Sequence, residues 1–273
     1  MAPPLSKQSP ASLLLRRAKV GILQAKRLGQ WLTQPDQFAA APIASSADLQ
    51  LQHRIAVSSK GVQSHPDLET GKRINLAIAA AHVDGRRIDA SAPFSFWRIL
   101  GRPTAARGYR PGTEIRDGCV IPSIGGGLCL LSGALFRLAA EMDWEILERH
   151  GHTVQSRDLS QVDATVFWPQ VDLRFAPRQG SAILRVRMHG DLLVVESYGA
   201  QATTPVRVWR EAAAPQNNNL VLASRVVRAT SARRVEVLGV DRKRSLEGGL
   251  KRNCITCEEQ GCSARESHLE VML

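Results

Sequence analysis

Three consecutive glycines, Gly125 to Gly127, stand just before Cys129 and an apolar run. Glycine adopts backbone angles that residues with a Cβ atom avoid, so the triplet predicts a tight turn. Apolar residues then recur at three- and four-residue steps, which is typical of an amphipathic helix. They are Leu131, Leu135, Leu138 and Ala139. The sequence therefore predicts a helix from Cys129 to Met142, with Cys129 in its first turn.

Cys129 is a candidate nucleophile at that position. The free amides and partial positive charge of a helix N-terminus lower the pKa of a cysteine thiol, and the thiolate is the reactive form. Backbone amides at the same place stabilise the oxyanion that forms when a thiolate attacks an acyl group. We therefore expect a ligand to contact Gly125, Gly126 and Gly127 beside Cys129.

A candidate base and its orienting carboxylate follow in the chain. His150 and His152 are two residues apart in ERHGH, so they would project from the same face of a strand. Asp163 precedes a predicted strand, Ala164 to Trp168, and is placed to orient one histidine as the third member of a catalytic triad does. The chain order would be Cys, His, Asp, with His150 and His152 both candidates for the base.

Each feature also has a structural explanation. A cysteine in an apolar helix is often an inert core residue, and glycines occur where chain segments pack closely. Paired histidines also form half of a metal site or lie on the surface. The residues alone leave these interpretations open beside the catalytic one.

The charge of the chain indicates an anionic partner. The 273 residues carry a formal net charge of +11, which suits nucleic acid, an acidic membrane surface or an anionic metabolite. Nucleic acid has the least support, because aromatic content is only 5% and no binding fingerprint accompanies the charge. No secretory signal and no apolar stretch of about 20 residues is visible, so we expect a cytoplasmic protein.

A basic amphipathic helix is predicted from Ser12 to about Leu32. Apolar residues recur at helical spacing, and five basic residues occupy the opposite side. We expect the apolar stripe to pack on the protein body and the basic face to be solvated. The alternative is a helix that binds a membrane surface or an acidic partner, which would make the protein peripheral to a membrane.

The rest of the chain predicts an α+β fold. A second helix is expected over about Glu69 to Val83, with Ile74, Ala77, Ile78 and Ala81 on one side, and residues 86–100 are expected to be extended. Residues 144–152 suit a strand, and residues 183–197 suit a hairpin with Gly190 and Asp191 in its turn. Further strands are predicted at 206–209, 220–227 and 234–238. Helices thus dominate the N-terminal half and mixed or antiparallel strands the C-terminal half.

The chain is predicted to divide into four segments. These are a helix and linker at 1–40, a domain with the glycine turn at 41–180, a β-rich continuation at 181–245 and a Cys-rich tail at 246–273. In the tail, a Cys-x-x-Cys pair, a third cysteine and a histidine form a candidate zinc set. The set is Cys254, Cys257, Cys262 and His268. The alternatives are a redox pair, a disordered tail with exposed thiols, or a three-cysteine iron–sulfur site.

Several short motifs resemble, in order, those of the VanW family, which is named from an accessory protein encoded in a vancomycin-resistance gene cluster. The resemblance covers about Lys72 to Phe175, and RLGQWLTQPDQFA near the start is also similar. The motifs are FSFW, GRPTAARGY, IGGGLC, ERHGH and DATV. This implies a bacterial protein with a link to the cell envelope. One departure is Leu130, which replaces the glutamine that usually follows the family's cysteine.

Two classes of function follow. The first is a cysteine hydrolase or acyltransferase, similar to transglutaminase-like and papain-like enzymes, that acts on an amide or peptide through Cys129, His152 or His150, and Asp163. The second is a non-catalytic protein that holds an anionic ligand at the glycine turn and helix N-terminus. The Cys, His, Asp order favours the first class, and Leu130 favours the second.

Overall fold

The computed structural model describes most of the chain. The described residues are 10–33, 48–59, 64–116, 119–152, 154–155, 162–199, 205–212, 221–229, 234–245 and 252–256. Four helices lie in this part: α1 (Pro10–Thr33), α2 (Pro66–Val83), α3 (Phe96–Leu100) and α4 (Cys129–Glu141). Among the described residues, none of the helices combines the length and apolar character needed to span a bilayer.

Fourteen strands form four small sheets in the described part. The strands are β1 (Asp48–Ala56), β2 (Arg86–Asp89), β3 (Phe94–Ser95), β4 (Pro111–Arg116), β5 (Cys119–Ile124), β6 (Glu145–Glu148), β7 (Val154–Gln155), β8 (Arg174–Ala176), β9 (Ser181–His189), β10 (Leu192–Gly199), β11 (Val208–Ala212), β12 (Val221–Ala229), β13 (Val235–Ser245) and β14 (Arg252–Asn253). The strand orders are β1-β10-β9-β2, β11-β12-β13-β7, β14-β5-β4 and β3-β8-β6. Most neighbours are antiparallel; β7 with β13 and β14 with β5 are parallel. The predicted α+β class, with its β-rich C-terminal half, is confirmed.

The main core lies where α2 and α4 pack against the sheet that contains β1, β9 and β10. The helix α4 begins at Cys129, and Leu131, Leu135 and Leu138 on its apolar side are fully buried. The hairpin formed by β9 and β10 closes with Leu192 opposite His189, around the expected turn. The sheet therefore gives α4 a rigid base, which fixes the helix end that carries Cys129.

The buried face of α2 contains Leu76, Ala79 and Val83, whereas Ile74 is exposed, because α2 packs on both β4 and β9. Three expectations about local structure are wrong. Residues 96–100 form α3 instead of a strand, since the Ser95 hydroxyl accepts a hydrogen bond from Arg98 N and caps the helix. Residues 149–152 and 164–166 are irregular, because their polar groups bond to other segments instead of to a strand ladder.

The packing expected for α1 is also wrong. Its apolar residues Ile22 and Leu32 are 69% and 84% exposed, while Arg27 is buried. Arg27 forms a salt bridge with Glu148, and Trp31 packs against Trp168 at a ring-centroid distance of 5.3 Å. The helix is therefore held through a polar and aromatic edge, and its apolar stripe faces away from the body.

The division into four segments stays a prediction. Strands β9 and β10, which follow residue 180, pair with β1 and β2, which precede it. Strands from both sides of the expected boundary at residue 180 thus belong to one sheet.

Candidate functional site

Cys129, His152 and Asp163 come together at the N-terminus of α4. His152 Nδ1 lies 2.5 Å from Asp163 Oδ2, and His152 is near enough to the Cys129 thiol for each group to shift the pKa of the other. Because Nδ1 is taken by the carboxylate, the other ring nitrogen is the one available to Cys129. The side chains of Cys129 and His152 are partly exposed, whereas Asp163 is buried. The three groups form a thiol–imidazole–carboxylate arrangement at the start of α4.

The environment favours the charged forms of the thiol and the imidazole. Burial alone would raise the pKa of Cys129, but the hydrogen bond and charge of His152, with smaller effects of Thr165 and Val166, hold that pKa below its ordinary value. Burial alone would lower the pKa of His152, but its hydrogen bonds to Asp163 and Cys129 raise that pKa to about 9. A thiolate paired with an imidazolium is the nucleophilic state that cysteine hydrolases use.

The segment that follows Asp163 holds the thiol in place. Thr165 Oγ1 lies 3.4 Å from Cys129 Sγ, and the Val166 carbonyl accepts a hydrogen bond from the thiol at 3.7 Å. The buried Ser132 hydroxyl donates to the Ala164 carbonyl at 2.7 Å, which ties this segment to the second turn of α4. The segment is therefore fixed by side chains of α4 and not by pairing in a sheet.

Two arginines and a second carboxylate surround Asp163. Arg149 Nη1 and Nη2 donate to Asp241 Oδ1 and Oδ2 at 2.6 and 2.8 Å. Arg210 links the two carboxylates, since it donates to Asp163 Oδ1 at 3.0 Å and to Asp241 Oδ2 at 2.8 Å. We call these four residues the Arg–Asp brace. Since the arginines occupy Asp163 Oδ1, Asp163 Oδ2 is left for His152.

The brace joins the site to the C-terminal sheet. Arg210 lies on β11 and Asp241 on β13, both in the β11-β12-β13-β7 sheet. A Cβ atom at Gly151 would overlap the Asp241 carboxylate, so only glycine fits between His150 and His152. The sequence reasoning missed Arg149, Arg210 and Asp241. The position of Arg149 inside the ERHGH motif, directly before His150, was the one available signal, and Arg210 and Asp241 have none.

His150 lies apart from the thiol. Its side chain is 47% exposed, and Nε2 is 3.2 Å from Glu148 Oε1. Burial alone would raise the pKa of Glu148, but hydrogen bonds from His150 and Arg27 and the charge of Arg27 lower it to about 2. The structure thus brings His152, and not His150, to Cys129, and places His150 in the contact that holds α1.

The predicted glycine turn has tight packing on both sides. Gly125 and Gly127 have φ values of 80° and 94°, which favour glycine. A Cβ atom at Gly126 would overlap the backbone of Gly112, and one at Gly127 would overlap the side chain of Lys72. These contacts account for all three glycines without a ligand.

The hydrogen bonds of the turn are mostly internal. Gly125 N donates to the Arg110 carbonyl and Gly126 N to the Ser123 carbonyl, at 3.2 and 2.8 Å. The fully buried Asn75 on α2, another residue that the sequence reasoning missed, donates to the carbonyls of Gly126 and Arg110, each at 2.9 Å. Asn75 thus fastens the turn to α2. The N-cap residue of α4, Leu128, makes no side-chain cap, and Leu130 N in the first turn donates to the Gly127 carbonyl at 3.0 Å.

The candidate zinc ligands lie largely outside the described residues. Of the four, Cys254 is described; it is buried, and its N–H donates to the Val120 carbonyl beside β5 at 2.8 Å. Cys257, Cys262 and His268 fall outside the described part. Among the described residues, no cluster of three or more His, Cys, Asp or Glu side chains could hold a metal ion. The zinc set stays a prediction.

Comparison with known proteins identifies the region that contains this site. The family model described as "VanW like protein" matches residues 71–198. The chain is 29% identical over 131 residues to "Uncharacterized protein YoaR" of Bacillus subtilis (strain 168), which covers 46% of this chain and 42% of the relative. It is 30% identical over 112 residues to "Vancomycin B-type resistance protein VanW" of Enterococcus faecalis (strain ATCC 700802 / V583), which covers 39% of this chain and 41% of the relative.

The chain therefore spans about two fifths of the length of each of these relatives. No solved structure gives a significant match to it. Cys129, His152 and Asp163 all fall within the matched residues 71–198, whereas Arg210 and Asp241 follow them. The resemblance inferred from the motifs is confirmed, since residues 71–198 of this chain match the VanW family model.

Proposed function

We propose that this VanW-like protein is a cysteine hydrolase or acyltransferase that acts on an amide bond. The observation that carries the proposal is the contact of His152 with Asp163 Oδ2, beside a Cys129 thiol that the segment after Asp163 holds through Thr165 and Val166. A base held by a carboxylate and placed against a nucleophile is the arrangement by which unrelated acyl-transfer enzymes are recognised. A purely structural cysteine does not need such partners.

The reaction follows from the positions of the three groups. The Cys129 thiolate attacks the carbonyl carbon of the amide, and the carbonyl electron pair moves to its oxygen. The C–N bond then breaks, and protonated His152 gives its proton to the leaving amine, which leaves a thioester on Cys129. Water or a second amine attacks the thioester, His152 takes the proton of that nucleophile, and the thiol is released as the carboxylate or a new amide forms.

Asp163 and the helix N-terminus have supporting roles. Asp163 fixes the His152 ring through Nδ1 and stabilises the imidazolium when it forms. Cys129 is the first residue of α4, and the partial positive charge of that helix end would stabilise the negative charge that forms on the carbonyl oxygen of an attacked amide.

The alternative, an anion-binding protein without catalysis, is less well supported. The amides of Gly125 and Gly126 already donate to carbonyls of the chain, and the glycines are explained by close packing. Leu130 is half-buried against the core and offers no polar group to a substrate, which is the one observation in favour of this alternative.

Amides of bacterial cell-envelope peptides are the first substrates to test. The name of the Enterococcus relative ties that protein to vancomycin resistance, and this suggests the cell envelope as the substrate source. Release of amine from a set of such peptides would be measured for the wild-type chain and for Cys129→Ala, with Cys119→Ala as the matched cysteine control.

We expect Cys129→Ala to reduce the rate by roughly a thousandfold or more, and Cys119→Ala to leave it nearly unchanged. Intact-mass measurement during turnover should show an acyl group on Cys129. Full activity of Cys129→Ala on a peptide that the wild-type chain cleaves would overturn the proposal. Stoichiometric binding of the peptides without any cleavage or acylation would support the anion-binding alternative instead.

A further inference from the structure

The helix α1 presents an apolar surface that the rest of the described chain leaves uncovered. The exposed residues recur at three- and four-residue steps along one side of the helix. They are Ala18, Ile22, Ala25, Leu28 and Leu32, and we call them the outer stripe. Ile22 is 69%, Leu28 49% and Leu32 84% exposed, so about half or more of each large side chain of the stripe lies in solvent.

The attachment of α1 to the body fixes the direction of the stripe. Arg27 donates to Glu148 and to the Gln170 carbonyl, the latter at 3.1 Å, and the Trp31 ring packs on Trp168. Arg27 and Trp31 are four residues apart and occupy one edge of the helix. Since the body holds that edge, the outer stripe points away from it.

The charges of α1 have a single sign. The helix carries five basic residues and no acidic residue. Exposed Lys19 and Lys26 directly follow Ala18 and Ala25 of the outer stripe, so they border it on one side over two turns. A partner that covers the stripe therefore meets both apolar and positive groups at the same time.

We propose that the outer stripe of α1 docks on an anionic lipid membrane. An amphipathic helix with apolar side chains on one face and lysines along its border lies in the membrane interface, with its apolar residues among the acyl chains and its lysines at anionic headgroups. The 24 residues of α1 give an interfacial contact about 36 Å long. The charge complementarity favours anionic lipid over a second copy of this chain, which has the same formal charge of +11 and would repel it.

The test is co-sedimentation of the full chain with vesicles. One set contains phosphatidylcholine alone, and the other contains phosphatidylcholine and phosphatidylglycerol in equal amounts. We expect binding to the anionic vesicles to be at least about tenfold tighter and to weaken as salt is added. The double variant Lys19→Gln/Lys26→Gln should lose most of this preference for anionic lipid.

The triple variant Ile22→Ser/Leu28→Ser/Leu32→Ser should bind anionic vesicles at least about tenfold more weakly. Its matched control is Val235→Ser/Val240→Ser, which removes exposed apolar side chains of β13 and should bind as the wild type does. Circular dichroism and the alkylation rate of Cys129 show that each variant is folded.

Two results would overturn the proposal. One is equal sedimentation of the wild type and the triple variant with anionic vesicles. The other is a wild-type dimer that the triple variant dissociates, with no vesicle binding by either, since a second copy of the chain would then cover the stripe. Neither result depends on whether Cys129 is catalytic.

Discussion

His152 Nδ1 lies 2.5 Å from Asp163 Oδ2, although the two residues belong to irregular segments that share no strand pairing. The contact is maintained by tertiary interactions: Thr165 N donates to the His150 carbonyl at 2.8 Å, and Arg149 donates to the Asp163 carbonyl. The imidazole is thereby held in one orientation before a substrate arrives, which is the condition for efficient general-base catalysis.

Alkylation of Cys129 should show a thiol pKa below the ordinary value of about 8.5, because the His152 imidazolium stabilises the thiolate. Iodoacetamide labelling would be followed against pH by mass spectrometry of the Cys129 peptide. His152→Ala should move the labelling midpoint to higher pH. The matched control is His150→Ala, whose side chain contacts Glu148 instead, and it should leave the midpoint unchanged. Identical profiles for both variants would contradict the assigned base.

Asp163→Asn should lower the pKa of His152 by at least about one pH unit, because the negative charge beside Nδ1 is removed. The His152 ring signals in NMR titrations report this directly, and Asp172→Asn is the control for loss of a different buried carboxylate.

The same pKa shift makes the stability of the fold depend on pH. Because the pKa of His152 is raised from 6.5 to about 9, protonation of His152 stabilises the folded state. This stabilisation is fully present below about pH 6.5 and is lost as pH rises through about 9. A His152 titration that is unchanged in Asp163→Asn would contradict the contact.

Asp241→Asn should destabilise the fold, because it leaves Arg149 and Arg210 in the brace with one carboxylate instead of two. Loss of one partner from a buried ion pair costs about 3–5 kcal/mol. Chemical denaturation would measure the free energy of unfolding. The control is Arg73→Gln, which breaks a solvent-exposed pair with Asp191 and should have little effect. Equal effects of the two substitutions would mean that the brace does not hold the C-terminal sheet.

Gly126→Ala should destabilise the chain by about 1–3 kcal/mol, because its Cβ atom would overlap the backbone of Gly112. Gly133→Ala within α4 is the matched control. The nearest atom to a Cβ there is Ala164 N at 3.8 Å, and alanine is the better helix former by about 1 kcal/mol. Thermal unfolding of the two variants should therefore change in opposite directions. A stabilised Gly126→Ala would show that the turn is not packed as described.

The stability of the Asp172→Asn variant relative to the wild type should increase as pH rises from about 4 to about 6. Burial raises the pKa of Asp172 to about 6 despite hydrogen bonds from Ser95 and Trp97, and Glu148 adds to this effect. A raised carboxyl pKa means that ionisation costs folding free energy above about pH 6, a cost that the amide avoids. Melting temperatures of both proteins across this range give the comparison, and a constant difference would contradict the raised pKa.

The local sequence determined the start of α4, the turn before it and the hairpin of β9 and β10. Helical spacing and glycine preferences act over a few residues, so they can be recognised in the sequence alone. The Cys129, His152 and Asp163 candidates could also be chosen from residue type and order. Chain order could not distinguish His152 from His150. The two histidines are two residues apart in an irregular segment, and the direction of that segment depends on Glu148 and Arg149.

Only the tertiary structure decided the remaining features. The Arg–Asp brace joins residues separated by up to 92 positions in the chain, and an ion pair at that separation leaves no local pattern. The glycine triplet is required by the approach of Gly112 and Lys72, neighbours that come from β4 and α2. The apolar stripe of α1 was expected to face the protein body. Instead, the pairing of Arg27 with Glu148 and of Trp31 with Trp168 turns the opposite side of the helix toward the body. Hydrophobic periodicity tells which residues share a face, and long-range contacts decide which face the body covers.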